Sequence, residues 1–127
     1  MNRPTLRLDS VGEKVRGYFA AEDGAREKGL GLSREVIRFS ANAIRAVHRG
    51  EFDQARELIN SAKANVAEMA RTLAQHGELF YGGFVHNAQK EYAEACITLA
   101  LVAGETLPSP DDLGVSYAAY LNGLGEA

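Results

Sequence analysis

The sequence predicts an all-α protein, a helical bundle built as a single domain over residues 1–127. Apolar residues recur at spacings of three and four along most of the chain, which is the period of an amphipathic helix. No stretch alternates between apolar and polar residues with the two-residue period of a strand. A length of 127 residues, with 46% hydrophobic and 24% charged residues, is sufficient for one domain with its own core.

The first helical pattern covers residues 8–48. It predicts either one long helix or two nearly collinear helices with a bend near Gly29 and Gly31, because glycine weakens a helix. Asp9 or Ser10 is positioned to cap the start of this segment, and Glu13 would complete a capping box three residues after Ser10. The amphipathic pattern is clearest in the second half.

Four arginines in that second half share one face of the helix, in a stripe about 60° wide at about 100° per residue. We call this set the arginine stripe: Arg34, Arg38, Arg45 and Arg49. Apolar residues lie on the opposite side. The stripe is either a solvated face or a set of arginines that pair with acids from a neighbouring helix. The alternative is a track for a nucleic-acid backbone, because guanidinium groups bind phosphate in a bidentate manner.

Three further helical segments are predicted, over residues 51–76, 84–104 and 115–127. Between the last two, Ser109 followed by Pro110 indicates the start of a short helical turn. The first of these segments has a buried stripe: Phe52, Ala55, Leu58 or Ile59, Ala62, Val66, Met69 and Leu73. The last has large apolar residues on one face: Tyr117, Tyr120, Leu121 and Leu124.

Composition and motifs argue against several functions. The net charge of −3 gives no overall attraction for nucleic acid, so any basic surface would have to be local. The glycines match neither a dinucleotide-binding loop nor a P-loop. His48, His76 and His86 lie on different segments, and none has a second ligand at zinc spacing. The single Cys96 and the lack of an 18-residue apolar run predict a soluble, cytoplasmic protein with no membrane partner.

An acidic pair, Glu91 and Glu94, lies in the middle of the segment that is otherwise most apolar. The two residues are one helical turn apart on one face, with uncharged neighbours such as Ala88 and Thr98. Because an ionised carboxylate without a partner is costly to bury, either an Arg or Lys from another helix or a divalent cation must neutralise the pair. Mg²⁺ or Mn²⁺ suits such oxygen ligands, and Glu126 is a third candidate if the last helix packs antiparallel to this one.

The element Glu91-Tyr92-Ala93-Glu94-Ala95 resembles the E-Y-V-E-A motif of translin-associated factor X, a member of the translin family of all-helical nucleic-acid-binding proteins. Tyr120-Leu121-Asn122-Gly123 with Glu126 is similar to a Y-L-x-G segment of factor X, which has an aspartate three residues later. Shorter matches to the first helix of translin and to factor X are Phe19-Ala20-Ala21-Glu22, Arg26-Glu27, Ser33-Arg34 and His48-Arg49.

The resemblance implies a translin-like bundle that lacks the family's C-terminal helices, so a truncated domain is expected. It also implies an RNA-binding protein with Mg²⁺-dependent (or Mn²⁺-dependent) endoribonuclease activity on single-stranded RNA, with DNA as an alternative ligand. Glu91, Glu94 and Glu126 would be the metal-binding catalytic acids, with Glu126 in the place of the family's aspartate. The arginine stripe would be the nucleic-acid-binding surface.

The resemblance leaves the activity of the chain itself open, because the family's fourth acid falls beyond residue 127. The alternative is a non-catalytic nucleic-acid-binding or assembly module of the translin type, in which the acids form structural ion pairs. Factor X works in a hollow octamer with translin, whose cavity holds RNA. A homo-oligomer or an assembly with a translin-like partner subunit is therefore expected in either case.

Overall fold

The computed structural model describes residues 3–80 and 82–127, and this part of the chain contains six helices and no strand. The helices are α1 (Arg3–His48), α2 (Phe52–Thr72), α3 (Gly77–Phe80), α4 (Gly83–Ala103), α5 (Pro110–Leu113) and α6 (Tyr117–Glu126). The predicted all-α class is confirmed. None of these helices combines the length and the apolar character that a membrane crossing requires.

Helix α1 is a single helix of 46 residues, which span about 69 Å at about 1.5 Å per residue. It runs unbroken through Gly29 and Gly31, so of the two predicted forms the structure has the single helix. Gly29 is buried, and a Cβ there would lie 3.2 Å from the ring of Phe84 and 3.3 Å from Leu73. This glycine therefore permits close packing between helices and does not interrupt α1.

The predicted start of α1 is wrong. The helix begins at Arg3, so Ser10 and Glu13 lie inside it and form no capping box. A capping box is a local signal, and polar residues of this kind are tolerated within a helix where they remain in water. Residues 8–21 are almost all exposed, including large apolar side chains such as Leu8 and Phe19.

Helix α2 follows a turn at Gly50, whose φ of 76° lies in the left-handed region that favours glycine. It ends at Thr72, four residues before the predicted end at His76. Ala74 and Gln75 are exposed, so they do not extend its buried face. The predicted stripe is confirmed by the buried residues of α2 and its C-cap: Ala55, Ile59, Ala62, Val66, Met69 and Leu73.

The core lies between α1, α2 and α4. Its largest fully buried side chains are those of Tyr92, Met69, Leu73, Ile97, Val36 and Val47. Helix α4 supplies most of the central layer, because every residue from Tyr92 to Ala100 is buried except Glu94. The sequence therefore correctly identified the apolar helix around which the others pack.

Helix α6 packs on α4 through two small residues, Ala119 and Gly123. A Cβ at Gly123 would lie 2.9 Å from the carbonyl oxygen of Lys90 and 3.0 Å from the backbone nitrogen of Glu94. Of the large residues that the sequence placed on one face, Tyr117, Leu121 and Leu124 are exposed, and Leu121 is 64% exposed. Tyr120 is partly buried against the core, and its hydroxyl donates a hydrogen bond to the Pro108 carbonyl at 2.7 Å. Small residues allow two backbones to approach closely, which explains why Ala119 and Gly123 form the contact with α4.

The predicted turn between α4 and α6 is confirmed. Gly104 ends α4 with a φ of 72°, and Ser109 caps α5. The Ser109 hydroxyl accepts a hydrogen bond from the Asp112 N–H at 3.1 Å, and the Asp112 carboxylate accepts one from the Ser109 N–H at 3.0 Å. This reciprocal capping box, with Pro110 in the first turn, fixes where the chain turns back toward α4.

Candidate metal centre and nucleic-acid surface

Three carboxylates meet where the end of α6 lies against the middle of α4. Glu91 and Glu94 are on one face of α4, and Glu126 is the last residue of α6. One carboxylate oxygen from each residue lies within 4.8 Å of the others. Glu91 and Glu94 are half-buried, and Glu126 is exposed. The structure thus brings together all three predicted acids, which we call the carboxylate cluster.

Two polar contacts hold α6 in the position that forms this cluster. At the N-terminal end of α6, the Ser116 N–H donates a hydrogen bond to the side-chain oxygen of Gln89 at 3.0 Å. Toward the other end, the Asn122 amide nitrogen lies 3.0 Å from the Nε2 atom of His86. Because α6 is attached to α4 on both sides of its close-packed centre, Glu126 is carried over the acids of α4.

Lys90, which was not among the predicted site residues, lies beside the cluster. The Lys90 ammonium lies 3.2 Å from Glu126 and 3.6 Å from Glu91. Lys90 directly precedes Glu91, about 100° round the helix from it. Its long side chain reaches Glu126 only because α6 packs there. The sequence does show a positive charge next to Glu91. The contact of Lys90 with Glu126 depends on the packing of two helices and could not be predicted from it.

The environment of the cluster favours a protonated or metal-bound form of Glu94. Burial, followed by the nearby carboxylates of Glu91 and Glu126, raises the pKa of Glu94 to about 7. The hydrogen bond to Glu126 raises the pKa of Lys90, so Lys90 carries its charge at neutral pH. Neutral solution therefore lies close to the midpoint of Glu94 ionisation in the absence of a metal.

An open pocket of about 300 Å³ adjoins the cluster. Glu94 and Glu126 form its acidic side, and His48 reaches it from the C-terminal end of α1. Its remaining lining is mainly apolar, with Leu101 and Val102 of α4 among the lining residues. The pocket thus places an apolar surface and a histidine next to two of the three carboxylates.

The donor atoms of the cluster fit a hard divalent cation. They are carboxylate oxygens from three residues, with no nitrogen or sulfur donor among them. Mg²⁺ and Mn²⁺ prefer such oxygen ligands and complete their coordination with water or substrate oxygens. Glu91, Glu94 and Glu126 would hold the ion. Among the residues that the structure describes, Lys90 is the one positively charged group in contact with the cluster.

All four residues of the arginine stripe are exposed. Three of them have partners close in sequence, namely Glu35 for Arg38, Asn42 for Arg45 and Glu51 for Arg49. These partners are local and are not the acids of a neighbouring helix that one interpretation required. Exposed ion pairs contribute about 0–1 kcal/mol each, so a phosphate can replace them at little cost. The structure is therefore compatible with a solvated face and with a nucleic-acid track.

The remaining titratable residues singled out in the sequence lie outside the cluster. The ring of His76 faces Glu22 at 3.5 Å, and His86 contacts α6. Cys96 is buried in the core as predicted, and burial raises the pKa of its thiol to about 11. A thiol in that state is a poor nucleophile, so Cys96 has a packing role.

The chain is similar to one known protein in sequence and to one solved structure in fold. No family model matches the chain. It is 28% identical over 111 residues to an uncharacterized protein of Methanocaldococcus jannaschii, an alignment that covers 86% of this chain and 49% of the relative. It is also similar to a chain in the crystal structure of apo-NeC3PO, with a TM-score of 0.78 and 20% identity over 94% of this chain and 61% of that chain.

The fold of the chain is therefore the translin-like helical fold of a C3PO protein, as the sequence resemblance implied. The chain spans about half the length of the curated relative and less than two thirds of the solved chain. The roles suggested for the acids and the arginines by the resemblance stay predictions.

Proposed function

We propose that this chain binds single-stranded RNA and cleaves it as a Mg²⁺- or Mn²⁺-dependent endoribonuclease. The observation that carries the proposal is the convergence of Glu91, Glu94 and Glu126 from two helices, with carboxylate oxygens within 4.8 Å of one another, on a translin-like fold. The resemblance of residues 91–95 to the E-Y-V-E-A motif supports the same assignment.

The chemistry follows from the ligands. A divalent cation in such a site lowers the pKa of water and stabilises the charge that develops on a phosphodiester. The carboxylate cluster would hold the ion, and the half-buried position of Glu94 would keep one ligand from being fully hydrated. His48 lines the same pocket as Glu94 and Glu126, so its ring would contact a nucleotide bound beside the cluster.

The arginine stripe gives the RNA a route to this pocket. Ile44 and His48 line the pocket, and Arg45 and Arg49 each follow one of them on α1, about 100° round the same helix. A phosphate backbone lying along the stripe would therefore pass beside the mouth of the pocket. Because guanidinium contacts to phosphate position a strand without reading its bases, this surface would also accept single-stranded DNA.

The proposal is tested first by exchanging Glu94 for Gln, which removes a negative charge with little change in volume. We expect Glu94→Gln to lower the rate of RNA cleavage by about 100-fold or more. Mutation of a residue that only orients a metal ligand lowers metal affinity or activity by roughly 10- to 100-fold, and Glu94 would be a ligand itself. The measurement is cleavage of a labelled single-stranded RNA in Mg²⁺ or Mn²⁺, with circular dichroism to show that the variant is folded.

The matched control is Glu57→Gln, which removes the same charge from an exposed position on α2. It should cleave at the rate of the unmodified chain. Cleavage that is equally fast in both variants would remove Glu94 from the catalytic assignment. RNA binding without cleavage by the unmodified chain would favour the second candidate function.

That second candidate is a non-catalytic nucleic-acid-binding or assembly module of the translin type. Its support is the contact of Lys90 with Glu91 and Glu126, which already gives two of the three acids a counter-charge. In this case the cluster would be a structural ion-pair network between α4 and α6.

The likeness to a C3PO chain favours an oligomer, and exposed apolar residues along the first part of α1 support the same idea. Leu8, Val11 and Val15 recur at helical spacing and are all exposed. Burying such a surface is favourable. We therefore include in the proposal a cytoplasmic homo-oligomer, or an assembly with a translin-like partner subunit.

A further inference from the structure

We propose that Lys90 is a resident counter-ion of the carboxylate cluster and that a divalent cation binds by displacing it. The inference rests on the metal site of the proposed function, and it concerns how that site is occupied and emptied. The ammonium of Lys90 therefore leaves the cluster when a metal ion from solution binds there.

The distances show which carboxylate oxygens both the ammonium and a metal ion would contact. The Lys90 Nζ lies 3.2 Å from Oε1 of Glu126 and 3.6 Å from Oε1 of Glu91. Glu91 and Glu126 are two of the three residues whose oxygens lie within 4.8 Å of one another. The ammonium therefore uses carboxylates that a metal would need.

The two cations compete because they repel each other and need the same acceptors. The lone pair with which a carboxylate oxygen accepts a hydrogen bond from the ammonium is not available to a metal. Lysine is suited to exchange, because its ammonium is a compact charge on a flexible four-carbon stem and can withdraw into water. The Lys90 side chain keeps 21% of its surface exposed, so a path to solvent is open.

In the metal-free protein, Lys90 also connects two helices. It joins Glu91 of α4 to Glu126 of α6 and so bridges two helices. Without it, three carboxylates would face one another with no counter-charge in contact from the described part of the chain. Lys90 thus holds the site assembled until a metal replaces it.

The test compares Mn²⁺ binding by four proteins at constant ionic strength, measured from the electron paramagnetic resonance signal of free Mn²⁺. Lys90→Met removes the charge and retains most of the length of the side chain. We expect it to bind Mn²⁺ about tenfold more tightly than the unmodified chain, a change of about 1.4 kcal/mol. Lys90→Arg keeps the charge and should bind no more tightly than the unmodified chain.

Lys63→Met is the matched control, because it removes an exposed lysine from α2 and changes the net charge by the same amount. It should leave Mn²⁺ affinity unchanged. Equal affinity of Lys90→Met and the unmodified chain would overturn the inference while leaving the metal site in place. A lack of Mn²⁺ binding by all four proteins would overturn both the site and the inference.

Metal-free stability provides a readout that does not depend on metal binding. In a chelator, Lys90→Met should unfold at a lower temperature than Lys63→Met, and added Mn²⁺ should remove most of that difference. If Lys90→Met does not fold without metal, Lys90→Gln supplies the binding measurement. Equal melting temperatures of the metal-free Lys90 and Lys63 variants would show that Lys90 is not a counter-ion.

Discussion

At the scale of single residues, the properties of Glu94 come from its neighbours and not from its own chemistry. It is the one residue between Tyr92 and Ala100 that is not fully buried, and two other carboxylates face it. Burial and the two negative charges both disfavour its ionised form and raise its pKa to about 7. A residue in this state is sensitive to small changes of pH and to any cation that enters.

This pKa predicts how stability depends on pH in the metal-free protein. In the unfolded chain Glu94 ionises near its ordinary pKa of 4.5, whereas in the folded chain it ionises near 7. Between these values the folded state binds the extra proton, so the free energy of unfolding contributed by Glu94 falls as pH rises from about 4.5 to about 7. Below this interval the contribution is fully present.

The measurement is urea unfolding in a chelator across this pH range for the unmodified chain and for Glu94→Gln. The difference in unfolding free energy between them should change with pH, because Gln does not titrate. Glu57→Gln should follow the unmodified chain, since its carboxylate is exposed on α2. Identical pH profiles for the Glu94 variant and the unmodified chain would contradict the raised pKa.

The residue scale also shows what the sequence could and could not predict about the site. The spacing of Glu91 and Glu94 placed them correctly on one face of a helix, because that depends on helical geometry alone. Glu126 was a candidate only on the condition that the last helix packs against this one, and the family resemblance indicated the same residue. The structure places Glu126 with the other two acids. The role of Lys90 depends on the distance between two helices, which no local pattern contains.

At the scale of helices, the candidate site depends on how closely α6 approaches α4. Gly123 is the point of closest approach, and the neighbouring atoms are backbone atoms of α4 that cannot move aside. Glu126 follows Gly123 by three residues, which is close to one helical turn. The position of the third carboxylate is therefore set by a residue that has no side chain of its own.

Replacing Gly123 with Ala should separate the two helices at this point. We expect a loss of about 1–3 kcal/mol of unfolding free energy, which is typical of overpacking, and weaker Mn²⁺ binding because Glu126 moves away. Urea unfolding and Mn²⁺ titration would measure the two effects. Gly125→Ala is the matched control on the same helix, since a Cβ there has no neighbour within 4 Å.

The control should be neutral or slightly stabilising, because alanine favours a helix over glycine by up to about 1 kcal/mol. Gly123→Ala that is as stable as Gly125→Ala would show that α6 can be displaced without cost.

The packing of α6 was not predictable from its large apolar residues, because Tyr117, Leu121 and Leu124 are exposed and Tyr120 is only partly buried. Only the small residues Ala119 and Gly123 are buried, and small residues give no strong periodic signal.

Helix boundaries illustrate the same limit. The start of α5 was predicted correctly from Ser109 and Pro110, because the cap forms within four residues of chain, between Ser109 and Asp112. The start of α1 was predicted incorrectly, because Ser10 and Glu13 resemble a cap but lie inside a helix that begins at Arg3. A local pattern is reliable where the chain must turn, and Gly114 with a φ of 69° enforces that turn after α5.

At the scale of the whole molecule, the fold brings a basic surface and an acidic site together on a chain with a net charge of −3. The arginine stripe lies on α1, and the carboxylate cluster lies between α4 and α6. They adjoin because His48 of α1 lines the same pocket as Glu94 and Glu126. Overall composition gives no sign of this arrangement, which requires the contact between the C-terminal part of α1 and α4.

This arrangement predicts that RNA binding depends on salt through specific arginines. Each phosphate contact to a single strand contributes about 0.7 to the slope of log affinity against log salt concentration. The double variant Arg45→Gln with Arg49→Gln should therefore weaken RNA binding and reduce that slope by about 1.4. Fluorescence anisotropy of a labelled single-stranded RNA, titrated at several KCl concentrations, measures both quantities.

The matched control is Arg16→Gln with Arg26→Gln, which removes two exposed arginines from the same helix but outside the stripe. The comparison holds net charge and helix constant, so a difference in slope reports the location of the phosphate contacts. If both double variants lose the same affinity, RNA responds to overall charge and the stripe is a solvated face. If only the stripe variant loses affinity, the strand lies beside the pocket, where cleavage at the carboxylate cluster requires it to be.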